Sequence, residues 1–237
     1  MTQINRAPIF DEVRAMLGRG FTQAEVRRLD RAFDRALGIV KPRAVSNGEA
    51  FYKALRKIMG PLDQTQVDSI NSLLSAAAHW PVGWLAYALA TAFHESRLRP
   101  IKEMGSDQYL SKYDTGRLAK VLGNTPQADG DGIRYAGRGF VQITGRTNYR
   151  NAGKHLGIDL LADPDKALDP GIATRILVWG METGAFTGKS LSDYVSQRGT
   201  HSEFVNARRI INGTDRASLI AGYAVKFQDA LEAGGWR

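Results

Sequence analysis

The 237-residue chain contains no cysteine. Disulfide staples, thiolate zinc sites and cysteine nucleophiles are therefore excluded, while the redox compartment is left open. Long apolar runs are also missing. The longest, Trp80 to Phe93, has 14 residues and falls short of the roughly 20 a membrane-spanning helix needs, so it reads as a buried core helix. The opening stretch MTQINRAPIFDEVRAM has no basic segment leading into an apolar one; no secretory signal is expected, and synthesis in the cytoplasm without a leader follows. Histidine is scarce, and His79, His94, His155 and His201 are scattered at spacings that fit no metal. The DGDG at Asp129–Gly132 lacks the remaining ligands of a calcium loop and reads as a turn. No metal and no cofactor is expected.

What is present is an ordinary globular composition, 43% apolar, carrying a formal net charge of +8. Half of that charge precedes Pro81 and half follows it, so it is spread rather than held in a tail. Such a surface suits a polyanion, whether nucleic acid, an anionic membrane or an acidic cell-wall polymer.

Sliding the N-terminal third by 41 residues sets FDEVRAMLGRGFTQAEVRRLDRAF (Phe10–Phe33) on FYKALRKIMGPLDQTQVDSINSLL (Phe51–Leu74). Each copy has a short amphipathic helix, a glycine-containing turn, and a Thr or Asp cap opening a second helix. This is the pattern of a duplicated helical hairpin. The first copy, residues 1–38, reads as a small helical module, with Arg27, Arg28, Arg31 and Arg35 on its second helix suiting an anionic envelope. Residues 39–50 read as a linker and 51–237 as the main domain, predominantly helical with long loops. A short hairpin is expected in GIRYAGRGFVQIT, and closing helices in DPGIATRILVWGMETG and GYAVKFQDALEAG.

The apolar run ends on TAFHESRLRPIKE, with Glu95 at the close of a buried helix and Glu103 beyond Pro100. Burial and the negative helix C-terminus both disfavour an ionised Glu95, which is the setting of a general acid. Proline breaks the helix near Arg99 and lets Glu103 fold back as a partner. Two carboxylates in unlike settings are the minimum for glycoside hydrolysis, one protonating the leaving oxygen and the other activating water. His94 is expected to pack beside Glu95 and buttress it. YAGRGFVQITGRTNY (Tyr135–Tyr149) adds glycines that permit close approach, with amides, hydroxyls and aromatic rings suited to sugars. No Gly-Lys-Ser/Thr follows, so it is not a phosphate loop. Among the aromatics, Trp80, Trp84 and Trp179 read as core, whereas Tyr109, Tyr113 and Tyr135 are candidates for a cleft.

AFHES, then YAGRGFVQITGRTNY, then RRIINGTDRA, in that order, resemble glycoside hydrolase family 19, the chitinase-like group that includes many bacteriophage and prophage endolysins. The resemblance spans about Phe51 to Leu231. It implies a mainly α, lysozyme-like fold in two lobes with a cleft between them, here with a short β-hairpin and an added N-terminal helical hairpin. It also implies an inverting mechanism. By motif, Glu95 matches the general acid, Glu103 resembles the general base of the compact phage-type members, and Thr144 stands where a hydroxyl helps hold the attacking water. Gln142 and Asn148 match substrate-binding amides. Tyr135, Tyr149, Asn212 and Arg216 are further candidates for substrate binding, with Thr214 where many relatives have glycine.

The resulting expectation is an endolysin, a monomer that cleaves β-1,4 bonds of peptidoglycan strands. It would leave the host cytoplasm through a holin-type pore, act at the wall or periplasm, and have no nucleic-acid partner. A chitinase is the nearest rival. A lytic transglycosylase would need only Glu95, and a basic nucleic-acid-binding helical protein would leave the carboxylates without a role.

Overall fold

A computed structural model describes residues 5–37 and 42–236, without the side chains of Ala24, Arg27, Arg31 and Arg35. Those three arginines of the expected basic cluster thus lie outside the described residues. So do positions 38–41 of the expected linker. The chain divides into two compact units between Pro42 and Arg43.

The first unit is a helical hairpin, α1 (Ala7–Leu17) and α2 (Gln23–Ala36). Gly18, in the left-handed region at φ 63°, ends α1. Thr22 opens α2, exchanging hydrogen bonds with Glu25. The Arg19 guanidinium and the Thr22 N–H hold the Glu25 carboxyl down at about 2. Arg6 pairs with Asp30 and Asp34 of α2, and the Phe10 ring meets Phe21 and Phe33 at 5.7 and 6.0 Å.

The second unit begins with α3 (Gly48–Met59) and α4 (Gln64–Ala76). The 41-residue offset carries α1 and α2 onto these helices to within one residue at every end. It also carries the Thr22–Glu25 box onto the Asp63–Gln66 box. Helix α3 starts inside the stretch read as linker, because the Asn47 side chain accepts the Ala50 N–H and caps it there.

Next comes α5 (Val82–Ser96), in which every residue from Gly83 to Phe93 is buried. An all-round apolar helix must run through a core. Beyond it lie β1 (Ile101–Lys102), α6 (Asp107–Leu110), a 3₁₀ turn at Ser111–Tyr113, α7 (Gly116–Leu122), α8 (Asp131–Arg134) and β2 (Arg138–Gly139). The chain then forms α9 (Arg146–Leu156), α10 (Pro170–Thr183), α11 (Leu191–Tyr194), α12 (His201–Ala207) and α13 (Ala217–Ala233).

Two apolar clusters organise this unit. The larger sets α5 against α13, where Phe93 lies between Tyr223 and Phe227 at 5.0 and 5.8 Å, and against α12, where Tyr87 stacks on Phe204. Trp80 and Trp84 belong to it, as expected for core tryptophans. The smaller gathers Tyr135, Ile143, Tyr149, Ala152, Leu156, Leu160, Ala167 and Ile176. Helix α10 faces both, giving Leu177 and Met181 to the first and Ile176 to the second.

The hairpin expected within GIRYAGRGFVQIT is reduced to a bridge between Arg138 and Ile143. The extended partner of β2 is β1, antiparallel, with Ile101 opposite Gly139 and Lys102 opposite Arg138. Arg138, 3% exposed, anchors this corner. Its guanidinium donates to Asp165, to the Arg134 and Ala136 carbonyls and to the Tyr149 hydroxyl, at 2.7 to 3.0 Å. Arg138→Ala removes all four hydrogen bonds and a buried guanidinium that packs this corner, and is expected to cost about 3 kcal/mol of unfolding free energy in urea titrations. A loss below about 1 kcal/mol would contradict this role.

Candidate active site

Helix α5 does not run on to Pro100. It stops at Ser96 because Arg97 and Leu98 both turn left-handed, at φ 55° and 58°, with their N–H groups reaching back to Phe93 and Ala92. Leu98 tucks fully inside, and the Arg97 carbonyl accepts the Gln66 side chain at 2.9 Å. This stop leaves His94 and Glu95 half-exposed on the last turn of a helix that is otherwise buried.

Glu95 is not a carboxyl alone in an apolar pocket, as its sequence context suggests. Arg208, 2% exposed, donates to its Oε1 at 2.6 Å and to the Asp215 carbonyl at 2.9 Å. Arg208 follows α12 one turn after buried Phe204, so its position four residues on from a core aromatic is the signal that could have marked it as inward-facing. His94 lies within the field of Glu95, Arg208, Asp215 and Arg216; burial above all, with the two arginines, pulls its pKa below the ordinary 6.5, against the pull of the carboxylates.

Glu103 is placed by the strand pair. Its N–H donates to the Gly137 carbonyl at 2.7 Å, and the Gly137 N–H donates back to Oε2 at 3.1 Å. The Tyr113 hydroxyl donates to Oε1 at 3.1 Å. Gly137 is the meeting point: a methyl group there would stand 2.9 Å from Gln142 Oε1 and 3.2 Å from both Glu103 Oε2 and Thr144 Oγ1. Three of the expected site residues therefore converge on one glycine. Gln142, itself left-handed at φ 53°, is oriented by donating to the Ile101 and Gly139 carbonyls at 2.8 and 2.9 Å. Thr144 donates to the Gln142 carbonyl at 3.0 Å, which turns its hydroxyl lone pairs outward. Asn148 is exposed, and its amide donates to the Thr144 carbonyl at 2.7 Å.

Tyr135 and Tyr149 are corrected. Both are buried in the smaller cluster with ring centroids 5.5 Å apart, and their hydroxyls donate to the Leu161 and Ala136 carbonyls. Neither presents a ring to a saccharide; their polar sequence surroundings concealed the packing of α9. Tyr109 is half exposed, whereas Tyr113 leans on Glu103. Asn212 and Arg216 are exposed beyond Arg208, where Arg216 adopts φ 55° at the start of α13. Asp129 and Asp131 serve Thr125 and Arg146, and among the described residues no three acidic or histidine side chains cluster.

Residues 109–215 match the family model described as Chitinase class I. The chain is 32% identical to Chitinase 11 of Oryza sativa subsp. japonica over 120 residues, 42% of this chain and 47% of that one. It is 41% identical over 64 residues to a glycosyl hydrolase family 19 domain-containing protein of Haemophilus influenzae, covering 26% of this chain and 31% of the relative. Residues 109–215 are thus similar to the glycoside hydrolase family 19 chitinases. These matches span less than half the length of either curated relative. The fold agrees with chitinase C from Streptomyces griseus HUT6037 at TM-score 0.54 over 81% of this chain and 93% of that one, with 20% identity. It agrees with a second bacterial family 19 chitinase at 0.51, over 82% and 97%, with 19% identity. Glu95 and Glu103 precede the matched segment, so their roles rest on motif and geometry.

Gly137→Ala pushes apart the three groups that converge there. It is expected to lower glycan cleavage roughly tenfold with little change in unfolding midpoint, since small misplacements at a reacting centre are costly. Full activity in this variant would contradict the convergence.

Proposed function

We propose that this protein hydrolyses β-1,4 glycosidic bonds of bacterial peptidoglycan with inversion, Glu95 acting as general acid and Glu103 as general base. The observation that carries the proposal is the unlike tethering of the two carboxylates. Glu95 commits Oε1 to Arg208, which leaves Oε2 to deliver a proton to the departing sugar oxygen. Glu103 has a donor on each oxygen and still keeps a lone pair on each for water.

A water between Glu103 and the outward lone pairs of Thr144 would give one hydrogen to each. Its own lone pair would then be free to attack the anomeric carbon as the glycosidic bond breaks. Proton gain at Glu103 and proton loss at Glu95 balance. Gln142 and Asn148 offer amides to N-acetyl and hydroxyl groups along the glycan, with Asn212 and Arg216 beyond Arg208.

Peptidoglycan is favoured over chitin by the charge of +8, which suits an anionic wall. In this reading the protein is an endolysin released through a holin-type pore, and the N-terminal hairpin aids attachment. The names of its curated relatives favour a second reading, chitinase, whose substrate shares the β-1,4 N-acetylglucosamine unit.

Digestion of purified Gram-negative peptidoglycan, with fragments identified by mass spectrometry, separates the readings. Hydrolysed reducing ends are expected from the wild type, with losses of about a hundredfold or more in Glu95→Gln and Glu103→Gln. Anhydro ends with Glu103→Gln active would mean a transglycosylase. Cleavage of chitin alone would establish the second reading.

A further inference from the structure

We propose that Tyr113 is the positioning residue of the general base: by donating to Oε1 of Glu103 it fixes the rotation of the carboxylate and readies it for the proton of the attacking water. The inference rests on Glu103 being that base.

The Gly137 N–H already occupies Oε2. With the Tyr113 hydroxyl on Oε1, the carboxylate cannot turn about its last bond without breaking a hydrogen bond. An unanchored glutamate would sample several orientations, few of which face the water.

Tyr113 is itself delivered by a rigid turn. It ends the 3₁₀ segment at Ser111–Tyr113, and its carbonyl accepts the Asn124 amide at 3.0 Å. The next residue, Asp114, is 4% exposed and accepts the Gly132 N–H at 2.5 Å. Gly132 packs against this turn, where a methyl group would lie 2.5 Å from the Leu110 carbonyl oxygen and 3.0 Å from the Tyr113 Cβ, so a side chain at 132 would push the turn away. On the outer side the Lys112 ammonium spans two rings, 3.3 Å from the centroid of Tyr109 and 4.6 Å from that of Tyr113. Burial first, with the Glu103 charge, raises the phenol pKa, so the hydroxyl keeps its proton and remains a donor.

The test compares pH profiles of kcat/KM for the wild type, Tyr113→Phe and Glu103→Gln on whichever of peptidoglycan or a β-1,4 N-acetylglucosamine hexamer the wild type cleaves. Removing a donor from an ionised carboxylate favours its protonation. The acid limb of Tyr113→Phe is therefore expected about one pH unit higher, with kcat down roughly tenfold and KM little changed. An inert Glu103→Gln beside a Tyr113→Phe whose acid limb has not moved would overturn the positioning role, even if kcat falls. An active Glu103→Gln would overturn the base assignment, and the inference with it. Should Tyr113→Phe fail to fold, 3-fluorotyrosine at 113 keeps the shape and donates more strongly; its acid limb is expected at lower pH, and an unmoved limb overturns the inference.

Discussion

Glu103 and Gly137 exchange two hydrogen bonds, backbone N–H to carbonyl in one direction and backbone N–H to carboxylate in the other. This exchange joins the chain leaving α5 to the glycine-rich loop more than thirty residues further on. A side chain at 137 would occupy the space where Gln142, Thr144 and Glu103 meet, so glycine there is demanded by the approach of other groups and not by its own torsions. The buried Arg138 next to it ties the same corner to Tyr149, Ala136 and Asp165, making the smaller apolar cluster a support for the glycine-rich loop.

A second support stands behind Glu95. The carboxylate emerges from a buried helix, and Arg208 meets it from the far end of the sequence. Among the described residues, the four non-glycine positions at positive φ are Arg97, Leu98, Gln142 and Arg216. Two of these terminate the helix that carries Glu95, and the other two are candidate substrate contacts. Each left-handed residue costs of order 1 kcal/mol, and their concentration at the site is what a geometry held against local preference looks like. Core packing by α5, α12 and α13 offsets that cost.

The helices were legible because periodicity and caps are local. The 41-residue offset found both hairpins, and the all-apolar run found α5. Glu95, Gln142 and Thr144 were singled out through ordered motifs and Glu103 as the carboxylate beyond Pro100, and Glu103, Gln142 and Thr144 meet at Gly137. What escaped was non-local. A two-residue strand has no alternation to read, so the β1–β2 pairing was invisible, and a hairpin within the loop was expected instead. The Arg208 pairing spans 113 residues, and nothing in the neighbourhood of Glu95 announces it. Tyr135 and Tyr149 misled in the opposite sense: polar neighbours in sequence suggested a cleft, whereas Tyr135 at the end of α8 and Tyr149 on α9 both turn into the smaller cluster. Pro100 drew attention as the helix breaker, although two left-handed residues had already ended the helix before it.

The central claim is that Glu103 activates a water that attacks the anomeric carbon directly, without a covalent sugar intermediate. The anomer released in the first minutes of cleavage of a β-1,4-linked N-acetylhexosamine glycan, followed by proton NMR before mutarotation, reads this out. The account predicts the α anomer. A β anomer as first product would mean two displacements at that carbon and would contradict it.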